Sequence, residues 1–167
     1  MSIGARIKRA IGPGAGVGLK MGLIFGYLCI IGGMVIVGCL DSANSARDQS
    51  IGSIIAGSLF AAVIYGSIYF AAHALSFAIG GVSVGIAAAL VACVMERPQV
   101  APAVGLVVGA TSFFGGAGFP FGEMPFGHFY AGGFGACSGC IIGILVKRRL
   151  NCDGLAAVKD VPSTLDA

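Results

Sequence analysis

Residues 49–95 decide the fold of this chain. They read QSIGSIIAGSLFAAVIYGSIYFAAHALSFAIGGVSVGIAAALVACVM, forty-seven consecutive positions without Asp, Glu, Lys or Arg. As one helix this stretch would be about 70 Å long, roughly twice the hydrocarbon thickness of a bilayer. We therefore expect it to fold back within lipid, with a turn at His73–Gly81 between spans over residues 51–71 and 77–95. The stretch predicts a multi-span membrane protein.

The composition of the whole chain agrees with a membrane protein. Hydrophobic residues make up 57% of the 167 residues and charged residues 10%, whereas about a quarter of the residues in soluble domains are charged. A net charge of +3 is too small to indicate a nucleic-acid partner. We expect one transmembrane domain over residues 21–150, preceded by a basic amphipathic segment (1–20) and followed by a short polar tail (151–167).

Charged residues also predict the orientation of the first span. The N-terminal segment carries Arg6, Lys8, Arg9 and Lys20, and an apolar run over residues 21–40 follows it. The loop after that run, DSANSARDQS at 41–50, has a negative net charge. Because cytoplasmic segments are enriched in Lys and Arg, the N-terminus is predicted to lie on the inner side.

The number of spans depends on the C-terminal half. Lys147, Arg148 and Arg149 directly follow an apolar run over residues 129–146. With four spans, at about 21–40, 51–71, 77–95 and 129–146, this basic triplet lies on the inner side together with the N-terminus. If residues 103–119 cross as well, there are five spans and the triplet lies outside. The positive-inside rule favours four spans, with both termini on the inner side.

Residues 103–128 are then predicted to be a re-entrant or interfacial segment. Together with Pro102 they contain seven glycines, three prolines and five phenylalanines. Continuous helix is unfavourable there, by about 1 kcal/mol for each interior Gly and about 3 kcal/mol for each Pro relative to Ala. The predicted fold class is an all-α integral membrane protein with about four transmembrane helices, five being possible, and a Gly/Phe-rich re-entrant segment.

Glycine is the most overrepresented residue type. The chain has 29 glycines, and rows of small residues allow close contact between helices in lipid. We predict that at least one row supports homo-oligomerisation, and tight packing within a single chain is the alternative. The two longest rows at a spacing of four are Gly14, Gly18, Gly22 and Gly26, and Gly135, Gly139 and Gly143.

The sequence contains little that predicts catalysis. Cys137 and Cys140 have CxxC spacing, but a quinone-linked thiol oxidoreductase would need a second cysteine pair in an exposed loop, and residues 41–50 contain none. His73 and His128 have no partners at the spacing of zinc ligands. We therefore expect no enzyme activity, no cofactor and no metal.

The Gly/Phe segment over residues 113–139 is the remaining distinctive feature. Aromatic rings favour the membrane interface, and glycine lets the backbone bend. We predict that this segment inserts into membranes, and that neutralisation of Glu123, with His128 nearby, makes insertion pH-dependent. The predicted inserting residues are Phe113, Phe114, Phe119, Phe121, Phe126 and Phe129.

In overall plan and in the composition of residues 113–139, the chain resembles the small membrane fusion protein of enveloped double-stranded RNA phages, the cystoviruses. This resemblance implies a virion envelope protein that fuses with a host membrane and anchors a peripheral receptor-binding spike. Membrane lipids, further copies of the chain and a spike protein would then be its partners. The glycine rows also resemble the Tim17/22-like group, which implies a non-catalytic structural subunit of a larger membrane complex. A small pore or holin-like channel is a third possibility.

Overall fold

A computed structural model describes residues 3–45, 50–114 and 127–152, with side chains at 4–42, 50–112 and 129–152. All secondary-structure elements in this part of the chain are helices. The elements are α1 (Ile3–Ser45), α2 (Ile51–Val94), a short 3-10 turn (Pro98–Val100), α3 (Ala101–Phe114) and α4 (Gly127–Cys152). The predicted all-α class is therefore confirmed for the described residues.

Local signals define both ends of α2. The Ser50 side chain caps its first turn by accepting a hydrogen bond from the Ser53 N–H at 3.3 Å. At the other end Glu96 has a φ of 52°, the left-handed conformation that ends many helices. The N–H of Arg97 bonds to the Ala92 carbonyl and that of Glu96 to the Cys93 carbonyl. These two bonds form a Schellman motif, which allows the chain to turn towards α3.

The prediction of two spans within residues 51–95 is wrong. α2 continues through His73–Gly81 without a turn and has 44 residues, a length of about 66 Å. Two contacts show why the helix persists there: the His73 ring lies 4.3 Å from the Tyr69 ring one turn earlier, and Gly81 packs against the backbone of α1. Close packing against α1 offsets the cost in conformational entropy of placing glycine in a helix.

The N-terminal segment also differs from its prediction. The basic amphipathic segment predicted over residues 1–20 is not separate from the first span, because α1 runs from Ile3 through Pro13 to Ser45. The Ala10 side chain is fully buried in a cluster that includes residues of α2 and α4. The basic segment is thus the first part of a helix of about 65 Å.

The four helices form two antiparallel hairpins that pack against each other. Along α1, Gly14 meets Gly85 and Gly38 meets Ser58, so α1 and α2 run antiparallel over nearly their whole length. The second hairpin joins α3 to α4, with Gly109 against Gly135. A buried cluster lies where the hairpins meet, near the ends of α1 and α4 that carry the basic residues; it contains Ala10, Val84, Ala88, Ala89, Ala92, Ala101, Ile142, Val146 and Leu150.

Within residues 3–45, 50–114 and 127–152, three helices are long and apolar enough to cross a membrane: Gly4–Ser42 in α1, Ile51–Val94 and Phe129–Cys152. α3 has 14 residues and a length of about 21 Å, which is shorter than a hydrocarbon core of about 30 Å. It occupies the first half of the predicted re-entrant segment, whose residues 115–126 lie outside the described part of the chain. Helix forms here in spite of two glycines because Gly105 and Gly109 both face glycines of α4.

Candidate functional site

The glycine rows predicted from the sequence lie inside the molecule. A Cβ atom built on Gly14 would lie 2.7 Å from the Gly85 carbonyl oxygen, and one on Gly22 would lie 2.6 Å from the Phe77 carbonyl oxygen. Gly18 makes a similarly close contact with Gly81. Here the helix backbones approach so closely that only glycine fits, as expected for small-residue interfaces in lipid.

The second predicted row is used in the same way. Gly135 and Gly139 face Gly109 and Gly105 of α3, and Gly143 faces Ala101. Both rows therefore support the alternative of packing within one chain. Gly26 ends the first row, where the Phe77 ring fills the space that its Cβ would occupy. Homo-oligomerisation stays a prediction, but these two rows are occupied by the chain's own helices.

Polar and aromatic contacts determine which part of α1 lies beside the start of α4. The Tyr130 hydroxyl donates a hydrogen bond of 3.0 Å to the Cys29 carbonyl oxygen, and the Phe134 ring lies 6.2 Å from the Phe25 ring, edge to face. The start of α4 thus meets the middle of α1. On the neighbouring face of α1, the Tyr27 and Ser67 hydroxyls lie 3.1 Å apart and link α1 to α2.

Because α4 begins beside the middle of α1, the α1–α2 hairpin extends beyond the region where all four helices pack. We call residues 33–45 and 50–65 the distal arm, and the remaining described residues the basal bundle. From Gly32 to Ser45 the arm is about 20 Å long. In the part of the chain that the structure describes, only α1 and α2 form it.

The distal arm exposes large apolar side chains on both of its helices. Ile51 is 76% exposed and Phe60 is 70% exposed. Such a surface needs lipid, another copy or another protein to cover it, because isolated soluble monomers rarely expose contiguous apolar patches of this kind. The exposed large apolar residues of the arm are Ile36, Leu40, Ile51, Ile55, Leu59, Phe60, Val63, Ile64 and Tyr65.

The predicted inserting phenylalanines lie around the connection between α3 and α4. Phe129, in the first turn of α4, is 75% exposed. Phe113 and Phe114 end α3 and His128 is the second residue of α4, but their side chains are not among those described. Phe119, Phe121, Glu123 and Phe126 lie outside the described residues. Insertion by this segment and its pH dependence stay predictions; a Glu123→Gln variant with unchanged pH dependence would contradict the second.

Sequence reasoning missed two surfaces. The distal arm was divided between predicted spans, although the absence of charge from Gln49 onwards was the signal that α2 could continue. Lys20 was placed before the first span, yet it lies inside the continuous α1 helix, 11 residues beyond Arg9 and about 16 Å further along. An ionisable residue inside a membrane-spanning segment is commonly functional.

The described side chains offer limited scope for metal or thiol chemistry. No three His, Cys, Asp or Glu side chains among them lie together as a metal site would require. All six cysteines are free. Cys137 and Cys140 lie one helical turn apart in α4, with Cys137 exposed and Cys140 half-buried. The expectations of no enzyme activity, no cofactor and no metal concern the whole chain and stay predictions.

The geometry that stands out is therefore a membrane-compatible basal bundle with an apolar distal arm. No protein-family model, curated protein or solved structure matches this chain.

Proposed function

We propose that this protein mediates membrane fusion, with the basal bundle held in one bilayer and the distal arm presented to an apposed one. The resemblance to the fusion protein of enveloped double-stranded RNA phages gives the proposal its biological setting: a viral envelope, host entry and a peripheral spike protein as partner. The proposal includes no catalytic step.

The length of α1 and α2 is the first observation that supports the proposal. A helix of 43 residues such as α1 is about 65 Å long, against about 30 Å of hydrocarbon. Transmembrane helices tilt by up to about 40°, and at that angle α1 would still extend about 50 Å along the membrane normal. Tilting therefore does not place the whole α1–α2 hairpin within one bilayer.

The distribution of cations indicates which end of the α1–α2 hairpin would project from the bilayer. Arg6, Lys8, Arg9 and Arg97 lie near the basal end of the hairpin, where Arg6 forms a 2.8 Å salt bridge with Glu96. α4 also ends there with its basic triplet. If these cations lie at the inner surface, as the positive-inside rule favours, the excess length projects from the outer surface.

The basal bundle has the thickness that this placement needs. Ala10 belongs to the buried cluster near the basic end, and Gly32 lies against the Tyr130 hydroxyl at the other end of the bundle. Gly32 is 22 positions beyond Ala10, which corresponds to about 33 Å of helix, close to the hydrocarbon thickness. In this proposal α1, α2 and α4 cross the bilayer, the chain returns to the outer side between α2 and α4, and both termini lie inside.

The single observation that carries the proposal is the apolar surface of the distal arm. A hairpin that projects about 20 Å from a membrane with exposed Ile51, Phe60 and Tyr65 is unfavourable in water, since each fully buried side chain of this type contributes roughly 1.5–3 kcal/mol. Entry into the outer leaflet of a second bilayer would cover that surface and bring the two membranes together.

Lipid mixing between liposomes tests the proposal. Purified protein is reconstituted into one liposome population and mixed with protein-free liposomes. We expect lipid mixing that Phe60→Ser reduces several-fold. The matched control is Leu75→Ser, because Leu75 is 73% exposed but lies in the basal bundle; we expect it to retain lipid mixing. Far-UV circular dichroism and gel filtration establish that both variants are folded.

The other functions predict different results in this assay. Dye leakage without lipid mixing would indicate a pore, and inertness would indicate a structural subunit; either result contradicts the proposal. A Phe113→Ser/Phe114→Ser variant separates the two candidate inserting elements. Lipid mixing that survives this change but not Phe60→Ser would assign insertion to the distal arm, and the reverse would assign it to the Gly/Phe segment.

A further inference from the structure

A basic cavity opens between α1 and the last turns of α4. Its volume is about 710 Å³, enough for a ligand of the size that protein pockets commonly hold. Lys20 lines it from α1, and Arg148 and Arg149 line it from α4. No Asp or Glu is among the described residues around it, so the cavity concentrates three positive charges without a lining acid to balance them.

Two glycines keep this cavity open. A Cβ atom built on Gly12 or Gly16 would meet no atom within 4 Å, whereas Gly14 and Gly18, on the face of α1 towards α2, have no room for one. The two sets of glycines therefore serve different purposes. Helix contact explains Gly14 and Gly18, but it does not explain Gly12 and Gly16, which line the cavity.

The cavity also has an apolar wall. Val17, Met21 and Leu145 line it and are half-buried. Arg148 and Arg149 lie near the basal end of the bundle, whereas Lys20 lies further along α1, directly before the uncharged part that Met21 begins. A ligand that matches both regions has an anionic head and an apolar tail.

We propose that this cavity binds an anionic phospholipid, with Lys20, Arg148 and Arg149 around the phosphate of the headgroup and the apolar wall along its acyl chains. Basic pockets between transmembrane helices on the inner side commonly bind such headgroups. A bound anionic phospholipid also explains why Lys20 lies so far along α1, because a cation inside a membrane-spanning segment is stabilised by a bound anion. The inference does not depend on the proposed fusion activity.

Native mass spectrometry of the full chain in detergent tests the inference. The protein is titrated with phosphatidylglycerol, with phosphatidylcholine of the same acyl chains, and with inorganic phosphate. We expect phosphatidylglycerol to bind at least tenfold more tightly than phosphatidylcholine. Binding of inorganic phosphate as tight as that of the lipid would overturn the lipid assignment in favour of a free-anion site.

Two triple variants remove the same number of charges from the same end of the bundle. We expect the cavity variant to bind phosphatidylglycerol at least tenfold more weakly and the control to bind it as the native chain does; equal loss in both would mean that general surface charge attracts the lipid, which overturns the proposal. The cavity variant is Lys20→Gln/Arg148→Gln/Arg149→Gln, and the control is Lys8→Gln/Arg9→Gln/Lys147→Gln.

A fourth variant keeps every charge. Gly16→Leu places a side chain in the open cavity, and we expect it to weaken phosphatidylglycerol binding several-fold. This variant tests the proposal even if the cavity triple variant does not fold, and unchanged binding would contradict it. A chain that ends at Cys152 tests the tail, which carries Asp153, Asp160 and Asp166. If its removal raises affinity tenfold or more, the cavity is the docking site of the tail and the proposal fails.

Discussion

Two adjacent glycines of α2 provide the sharpest test of how the hairpin is held together. Gly81 faces α1, and a Cβ built on it would lie 2.6 Å from the Gly22 Cα and 3.0 Å from the Gly22 nitrogen. A Cβ on Gly80 would meet no atom within 4 Å. Gly81→Ala and Gly80→Ala are therefore the same chemical change, one position apart in one helix, with opposite steric consequences.

The expected magnitudes follow from these distances. Carbon atoms pack at about 3.5–4.0 Å, so the added methyl at position 81 requires α1 and α2 to separate by about 1 Å. Overpacking of this kind typically destabilises by about 1–3 kcal/mol. Each variant also gains up to about 1 kcal/mol from the higher helix propensity of Ala. Because this gain is common to both, we expect Gly81→Ala to be about 1–3 kcal/mol less stable than Gly80→Ala.

Unfolding in mixed micelles of a mild detergent and SDS measures the difference. Energy transfer between dyes on cysteines introduced at Gly4 and Gln99, in a background without the native cysteines, reports whether the basal ends of the hairpin stay together. Both positions are exposed, so the labels do not disturb the interface. The unfolding free energies of the two alanine variants are then compared with that of the labelled parent.

Equal stability of the two variants, within about 0.5 kcal/mol, would refute the assignment of Gly81 to an intramolecular interface. The predicted homo-oligomer leads to a different expected result for Gly81→Ala. If Gly81 packed against a second copy of the chain instead of its own α1, Gly81→Ala would lower the particle mass in light scattering and leave the unfolding of the monomer unchanged.

Three further predictions concern other parts of the bundle. Tyr130→Phe removes the hydrogen bond to the α1 backbone, and we expect a loss of about 1 kcal/mol in the same unfolding assay; no change would mean that packing alone positions α4. Glu96→Gly and Glu96→Gln both remove the charge, but only Glu96→Gly relieves the strain of the left-handed backbone conformation. We therefore expect the free energy of unfolding of the glycine variant to be about 1 kcal/mol higher than that of the glutamine variant. In sealed proteoliposomes, single cysteines at Cys39 and Cys152 should react with impermeant maleimide from opposite sides, and labelling from one side would contradict the proposed placement.

The long apolar helices of the chain were predictable because charge is informative over long segments. The stretch from Gln49 to Met95 contains no residue that must remain in water, and the structure forms helix throughout the part of this stretch from Ile51 to Val94. The number of helices within it was not predictable in the same way. An apolar segment of about 70 Å is compatible with two short spans or with one helix longer than the bilayer, and residue composition does not distinguish them.

For the glycine rows, the sequence predicted a close helix contact but did not identify the partner helix. The spacing of Gly14, Gly18 and Gly22 predicted a close helix contact, and the structure contains one. Spacing alone could not identify the partner helix, because a row of glycines accepts any helix that presents small residues in register. Gly81 and Gly85, at the same spacing in α2, supply that register within the chain.

The polarity of the tip limits how the distal arm can act. Residues 41–50 include Asp41, Arg47 and Asp48, and moving charged side chains to the centre of a bilayer is unfavourable by at least about 2.5 kcal/mol each. The exposed apolar residues of the arm, from Ile51 to Tyr65, lie behind that tip. Under the proposed fusion function, the arm would therefore lie along the opposing membrane, with its charged end in the headgroup region, and would not pass through a second bilayer. Such a position covers apolar surface in the outer leaflet alone, and disturbance of that leaflet is the step that lipid mixing, as opposed to pore formation, requires.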